Sequence, residues 1–199
     1  MSAPAPTYEW GFNEGSGSTA TDSVAGLTLV PSGTPTWGTG TIKSEFYFNG
    51  TTRAYNGPST AAVNFRLDTT VSGYQTLLRF AKNSGGQMWV HCQDGTPDIY
   101  LATQHNASAT ITADSDHLVV VTASAGTWKL YLDGTEVLSF TDTVQNFRLS
   151  NSDFAVAPGP APNVVTDRLR IWEQALSSTD VADLSGGGGP TNTGGMFFA

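Results

Sequence analysis

His117-Leu118-Val119-Val120-Val121-Thr122, then Trp128-Lys129-Leu130-Tyr131-Leu132, then Asp133-Gly134 and the return Thr135 to Phe140 form the stretch that decides the fold class. Asp-Gly between two strand-type runs is a favoured two-residue turn, because both central positions of a type I′ turn need positive φ. The flanking β-branched and aromatic residues suit a pleated surface, so the stretch reads as consecutive antiparallel strands. Towards the C-terminus, Val164 to Trp172 alternates, Leu169 and Ile171 facing one way and Arg168 and Arg170 the other. Towards the N-terminus, Tyr8, Trp10 and Phe12 alternate with small or polar residues, which opens the domain with a half-buried strand.

Between these landmarks the same pattern repeats. Runs of strand type occupy Gly26 to Val30, Ser44 to Phe48, Ala62 to Leu67, Tyr74 to Ala81, Gln87 to Gln93, Asp98 to His105, Ala109 to Ala113, Asn146 to Leu149 and Phe154 to Ala157. Gly11 to Ser18 is a turn-rich loop without the lysine of a phosphate loop. Pro158-Gly159-Pro160-Ala161-Pro162 lacks ladder donors at its prolines and reads as a loop. Only Ser177 to Leu184 looks helical: Ser177 and Asp180 have capping-box spacing, and Leu176, Val181 and Leu184 share one face.

Composition agrees. The 199 residues include 22 Gly and 10 Pro with only 13% charged residues, which suits many short strands joined by turns and excludes an all-helical chain. Nine Lys+Arg against 17 Asp+Glu leave a net charge of −8, so the phosphate neutralisation that a nucleic-acid binder needs is missing. No run of eighteen apolar residues is present, and no membrane crossing is expected. Residues 1-6 lack the basic and apolar regions of a secretory signal, and the single cysteine, Cys92, forms no internal disulfide.

Three of these stretches carry a family resemblance: Trp10 to Gly17 with Asp22-Ser23, His117 to Val121 through Tyr131-Leu132-Asp133-Gly134, and Asp167 to Trp172 through Ala175-Leu176-Ser177. In this order they resemble the opening strand, central antiparallel pair and closing strand with short helix of the laminin-G-like, concanavalin-A-type jelly roll. The resemblance runs from about Thr7 to Leu184 and implies an all-β, two-sheet antiparallel β-sandwich with one short C-terminal helix and an extended C-terminal tail. The domain boundaries expected are 1-185 for the jelly roll and 186-199 for a Gly-rich linker with a hydrophobic anchor peptide.

The resemblance leaves function open among enzymes, lectins and structural proteins. Glycoside hydrolysis needs two carboxylates about 5 Å apart or somewhat more. The Glu-x-Asp-x-Glu strand of the glucanase relatives has no match, and Asp114-Ser115-Asp116 reads as a turn feeding the strand at His117. His117 is expected to be structural. His91 and Cys92, being adjacent in a strand, point to opposite faces and make no catalytic pair. No catalytic residue is assigned, and the chain is expected not to be an enzyme. No cofactor is expected beyond a calcium ion that the resemblance implies, held as in relatives between the opening strand and the acid that precedes the closing strand, here Asp167. Trp37, Tyr55, Tyr74 and Trp89 are expected in the core rather than on a sugar-stacking platform.

The tail sets the expected partner. Gly186 to Gly189 has the largest entropy to lose on ordering, and Met196, Phe197 and Phe198 follow on an apolar tip. The fourteen residues span at most about 46 Å, enough to dock on a neighbouring subunit or to fold back on their own domain. A surface-type sandwich without export signal or disulfide suits a bacteriophage virion surface protein assembled in the host cytoplasm. The expected function is therefore capsid decoration: a non-enzymatic protein that binds a major capsid or other virion protein, self-associates and stabilises the shell. The alternative is a carbohydrate-binding, lectin-like module of a phage tail adhesin or bacterial surface protein, with a glycan as partner.

Overall fold

The computed structural model describes residues 2–49, 59–68, 73–82, 87–100, 104–144, 147–148, 155–156 and 164–186. Its strands are β1 (Tyr8–Trp10), β2 (Ala20–Thr21), β3 (Thr28–Pro31), β4 (Trp37–Gly38), β5 (Thr41–Ile42), β6 (Phe46–Asn49), β7 (Ser59–Leu67), β8 (Tyr74–Lys82) and β9 (Gln87–Gln93). They continue with β10 (Thr96–Tyr100), β11 (Gln104–Asn106), β12 (Asp116–Ser124), β13 (Thr127–Leu132), β14 (Thr135–Thr141), β15 (Phe147–Arg148), β16 (Ala155–Val156) and β17 (Val164–Trp172). One helix, α1 (Ser178–Ser185), follows.

Among the described residues the strands form two antiparallel sheets. The eight-stranded sheet runs β14-β13-β12-β7-β17-β5-β4, with β1 on the free part of the β17 edge; the nine-stranded sheet runs β11-β10-β9-β8-β16-β6-β3-β2, with β15 also on β8. Alternate residues of both sheets meet in one core that includes Trp10, Leu29, Phe46, Phe48, Val63, Phe80, Val90, Val119, Trp128 and Leu169. Their alternation along each strand is what makes a face-to-face sandwich the stable solution.

The hairpins follow the turn chemistry of the sequence. Asp133 (φ 50°) and Gly134 (φ 85°) link β13 to β14, and Ala125-Gly126 and Asp94-Gly95 make the same two-residue connection with positive φ at both positions. Asp133 also locks its turn onto β12: its carboxylate accepts from the Leu118 amide (2.8 Å) and meets His117 Nδ1 (2.7 Å). His117 Nε2 lies 3.0 Å from the Thr112 carbonyl, so both ring nitrogens are engaged in tying down the strand entry. In the opening loop the buried Asp22 carboxylate accepts from the amides of Glu9, Val24 and Ala25.

α1 begins as its capping box requires, Ser177 Oγ accepting from the Asp180 amide (3.2 Å) while the Asp180 carboxylate accepts from the Ser177 amide (3.0 Å). The Ser177 hydroxyl, which also donates to the Asp180 carboxylate (2.6 Å), and the Ser177 amide hold that carboxyl below the usual carboxylate range. Leu176, Val181 and Leu184 lie over Ala62, Leu118, Val120, Tyr131 and Trp172, so the helix closes part of the outer face of the eight-stranded sheet. Its last turn meets the β13–β14 hairpin, where a Cβ on Gly134 would stand 3.1 Å from Ser185 Cβ and 2.7 Å from its Oγ. Gly134→Ala combines that contact with an unfavourable positive φ and is expected to lose about 2 kcal/mol in chemical denaturation. Gly15→Ala, with positive φ but open space around it, should lose only the backbone part.

Two readings change. Ala109 to Ala113 is not a strand; Ile111 is buried, and its amide donates to the Gly95 carbonyl (2.6 Å), so the segment braces a hairpin from outside the ladder. The run from Asp98 to His105 is two strands, β10 and β11, because β10 already begins at Thr96 directly after the Asp94-Gly95 turn. The anchor residues Met196, Phe197 and Phe198, with the rest of 187–199, lie outside the described residues. No helix among the described residues is long and apolar enough to cross a membrane.

Candidate functional site

The two outer faces differ. That of the eight-stranded sheet is covered by α1 and by the N-terminal segment, whose Pro4 carbonyl accepts from Trp172 Nε1 (2.9 Å). The rest of it is occupied by charge pairs such as Arg168 with Glu9 (3.5 Å) and Arg66 with Asp68 (3.5 Å). Arg170 donates to Asn64 (3.0 Å) above the Trp172 ring. Outside the nine-stranded sheet a row of rings lies among neutral polar groups and two charge pairs, Arg79 with Glu45 and His91 with Asp98.

A bulge creates that row. The β8–β9 register pairs Tyr74 with Gln93, Thr76 with His91, and Arg79 with Trp89, and it shifts between Thr76 and Leu78. Leu77 and Leu78 are both buried, so the alternation changes phase and Arg79 comes out on the same face as Tyr74 and Thr76. On β9, Met88, Val90 and Cys92 point into the core while Gln87, Trp89, His91 and Gln93 point out.

The rings are continuous. Tyr74 meets His91 edge-on (5.3 Å, 65°), and His91 stacks beside Trp89 (5.6 Å, 29°). The Arg79 guanidinium lies over both Trp89 (5.2 Å) and Tyr47 of β6 (5.5 Å), with Glu45 at 3.9 Å. Burial, with Glu45 adding, pushes the Tyr47 hydroxyl pKa up. A polar rim borders the row: Tyr74 Oη donates to Gln104 Oε1 (3.1 Å), and Gln104 Nε2 donates to Gln93 Oε1 (2.7 Å) and Asp98 Oδ2 (3.1 Å). Asp98, 0% exposed, stands 3.3 Å from His91 Nδ1. Tyr74 is 54% exposed, one of the two large apolar residues that stand open to solvent among the described residues.

Such a face offers flat, electron-rich rings beside amides and hydroxyls, the combination that takes a ligand with one C–H face and a hydroxyl edge. Sequence alternation alone missed it. Tyr74 and Trp89 are not core residues, because β8 and β9 bury the opposite set of side chains; Trp37 is half-buried against Phe46 (5.6 Å), and Tyr55 lies outside the described residues.

Other candidate residues are placed apart from this face. His105 stacks on Phe140 of β14 (3.7 Å, 7°), joining the edges of the two sheets. Cys92 is buried, and burial pushes its thiol up to about 11. Asp114 has φ 58° in a turn while Asp116 opens β12, so the two carboxylates do not share the face of a strand. Asp167 is the extra residue of a bulge inside β17 rather than an acid preceding it. It presents surface to solvent, yet protein atoms crowding its carboxyl push the pKa up, Arg168 drawing it back and Asp116 adding to the rise. No group of three His, Cys, Asp or Glu side chains gathers as a metal cage among the described residues, and the Asp22 carboxylate is already engaged by backbone amides.

A family model described as the concanavalin A-like lectin/glucanases superfamily, of laminin G type, matches residues 55–182. The chain belongs to this superfamily. No curated protein matches it in sequence. Among solved structures it superposes on the sialidase of Trypanosoma rangeli with a TM-score of 0.73 at 16% identity, covering 89% of this chain and 32% of the sialidase. It also superposes on the ligand binding domain of botulinum neurotoxin serotype D in complex with N-acetylneuraminic acid, with a TM-score of 0.67 at 13% identity, covering 92% of this chain and 51% of that one. The receptor binding domain of the C/D mosaic neurotoxin gives 0.67 at 12% identity over the same shares. The domain thus spans about a third to a half of these neighbours, and at such identities the shared property is the fold.

Two expectations are corrected by these findings. The exclusion of enzyme function does not stand: the neighbours include sialidases, and a fold shared with an enzyme at 16% identity carries no argument against catalysis. The bacteriophage virion assignment, with its capsid partner and self-association, rested on a tail outside the described residues, and neither the fold nor the similarities support it.

Proposed function

We propose that the domain binds carbohydrate, and that the glycan lies on the outer face of the nine-stranded sheet across Tyr74, His91 and Trp89. The observation that carries this reading is the ring row itself, with Tyr74 exposed and His91 and Trp89 partly buried beside it, bordered by Gln93 and Gln104, on the one outer face that no helix covers among the described residues. Support comes from the superfamily, which takes its name from lectins and glucanases, and from the neurotoxin neighbour whose complex holds N-acetylneuraminic acid.

A glycan array probed with the intact chain, followed by calorimetry on the best hit, tests it. Tyr74→Ala removes an exposed ring and its hydroxyl with little loss of core, so binding is expected to fall about tenfold while the melting temperature stays within a few degrees. Unchanged affinity in this variant and in a Gln104→Ala variant moves the glycan to another surface.

A further inference from the structure

Resting on that reading, we infer that Asp98 is a positioning residue that fixes the hydrogen-bonding polarity of this face. It makes Tyr74 Oη and His91 Nε2 acceptors, so the face requires glycans whose hydroxyls at those two points are free to donate. The chain of bonds starts from a carboxylate that is 0% exposed although β10 sets it opposite His91, on the outer side of the sheet. A carboxylate only accepts hydrogen bonds, and a buried one left unmatched is costly, so its neighbours turn their donors towards it. His91 Nδ1 stands 3.3 Å from Asp98 Oδ1, and among the described residues neither of these enclosed atoms has another partner. The proton of the neutral imidazole therefore belongs on Nδ1, which leaves Nε2 as an acceptor.

The same carboxylate orients Gln104. Its Nε2 lies 3.1 Å from Asp98 Oδ2 and 2.7 Å from Gln93 Oε1; turned over, the amide would set its oxygen against a buried carboxylate oxygen. Both N–H groups are thus spent, and Gln104 Oε1 accepts from Tyr74 Oη at 3.1 Å. The phenol proton is used in that bond, so towards a ligand Tyr74 presents only lone pairs, while Gln93, accepting through Oε1, presents its amide N–H groups. Among the described residues no protein donor reaches Tyr74 Oη or His91 Nε2, and no acceptor reaches Gln93 Nε2, so these atoms remain for the ligand. Side chains on β8, β9 and β11 therefore take their polarity from one buried acid on β10. A sugar hydroxyl that donates to Tyr74 or His91 fits; fluorine in its place has no proton to give and meets a lone pair.

Two measurements test it. The first needs no ligand: proton–nitrogen correlation NMR of the intact chain at about pH 8 is expected to show His91 protonated on Nδ1 and bare on Nε2. Asp98→Asn, whose amide donates as well as accepts, is expected to lose that fixed tautomer. An Nε2–H tautomer in the parent overturns the inference. The second titrates lactose, cellobiose and mannobiose, each beside its monodeoxyfluoro forms, by calorimetry. At the hydroxyls that meet Tyr74 and His91 the fluoro form is expected to bind the parent about tenfold more weakly, a ratio that shrinks to about two- to threefold in Asp98→Asn. A purely structural role for Asp98 would weaken both forms alike and leave the ratio unchanged, which overturns the inference. Fluoro forms that bind the parent as tightly as their hydroxyl counterparts at every position also overturn it, and leave the carbohydrate-binding reading intact. Binding of none of the three disaccharides overturns the inference, and a glycan array without hits overturns that reading as well. Circular dichroism shows whether Asp98→Asn folds; if it does not, the tautomer and the ratio in the parent decide.

Discussion

Trp128→Ala is expected to lower stability by about 3–5 kcal/mol, seen as a fall in melting temperature of roughly 10–15 °C. Trp128 is 0% exposed in the core between the sheets, pairs with Phe140 across β13 and β14, and lies 6.3 Å from the Phe147 ring. Its Nε1 donates to the Val144 carbonyl (2.8 Å) in a buried bond. Truncation therefore leaves a cavity as large as an indole and an orphaned carbonyl together. Trp128→Phe separates the two effects: it restores most of the volume and forfeits only the hydrogen bond, so about 1–2 kcal/mol should be lost. A loss below about 1 kcal/mol for the alanine variant would mean that the two sheets do not meet at this ring.

Trp89→Ala is expected to weaken glycan binding about thirtyfold, or ~2 kcal/mol, the largest effect of any single substitution on the face. The indole touches both neighbours in the row, His91 on one side and the Arg79 guanidinium on the other. Its removal takes away stacking surface and also frees Arg79 to swing towards solvent, so the platform loses flatness as well as area. Trp89 is only half-buried, and the melting temperature should fall by no more than a few degrees. Trp89→Phe keeps a ring in place and should recover most of the affinity in calorimetry. An alanine variant that binds as the parent does would remove this face from consideration.

The elements written in turn chemistry and long alternation were legible from the residues. Asp133-Gly134 forms the hairpin its φ demands, Tyr8 and Trp10 are buried as the alternation requires, and Ser177 with Asp180 starts the helix where the capping box lies. The superfamily followed from such landmarks. Short strands were not legible: Ala20–Thr21, Trp37–Gly38 and Thr41–Ile42 have two residues each, too few to show a period, and they exist because β3, β5, β4 and β17 lend them partners. The candidate site was hidden for a related reason. A regular strand would put Arg79 on the core side of β8 with Leu77, and only the bulge before Leu78 brings it out. Bulges depend on the partner strand, so a single run of residues carries no sign of them. The place of Asp98 was hidden likewise, since its strand-type run was read from Asp98 onward, while the ladder claims Thr96 and Pro97 for β10 as well and buries Asp98 beside His91.

The pairing of β1 with β17 sets the mechanical behaviour of the domain. Tyr8 faces Ile171, and the Thr7 amide donates to the Ile171 carbonyl (2.8 Å), so β1 begins where β17 ends, and the chain then runs on through Leu176 into α1; Leu176 and Val181 must leave the sheet before a pull from that side reaches β17. Tension applied between the two ends therefore loads those bonds in series, from Ile171 towards Leu169, and they give way one after another like a zip instead of sharing the load. A domain of this kind, pulled between Thr7 and Gly186, yields by peeling α1 from the sheet and then opening β1 from β17.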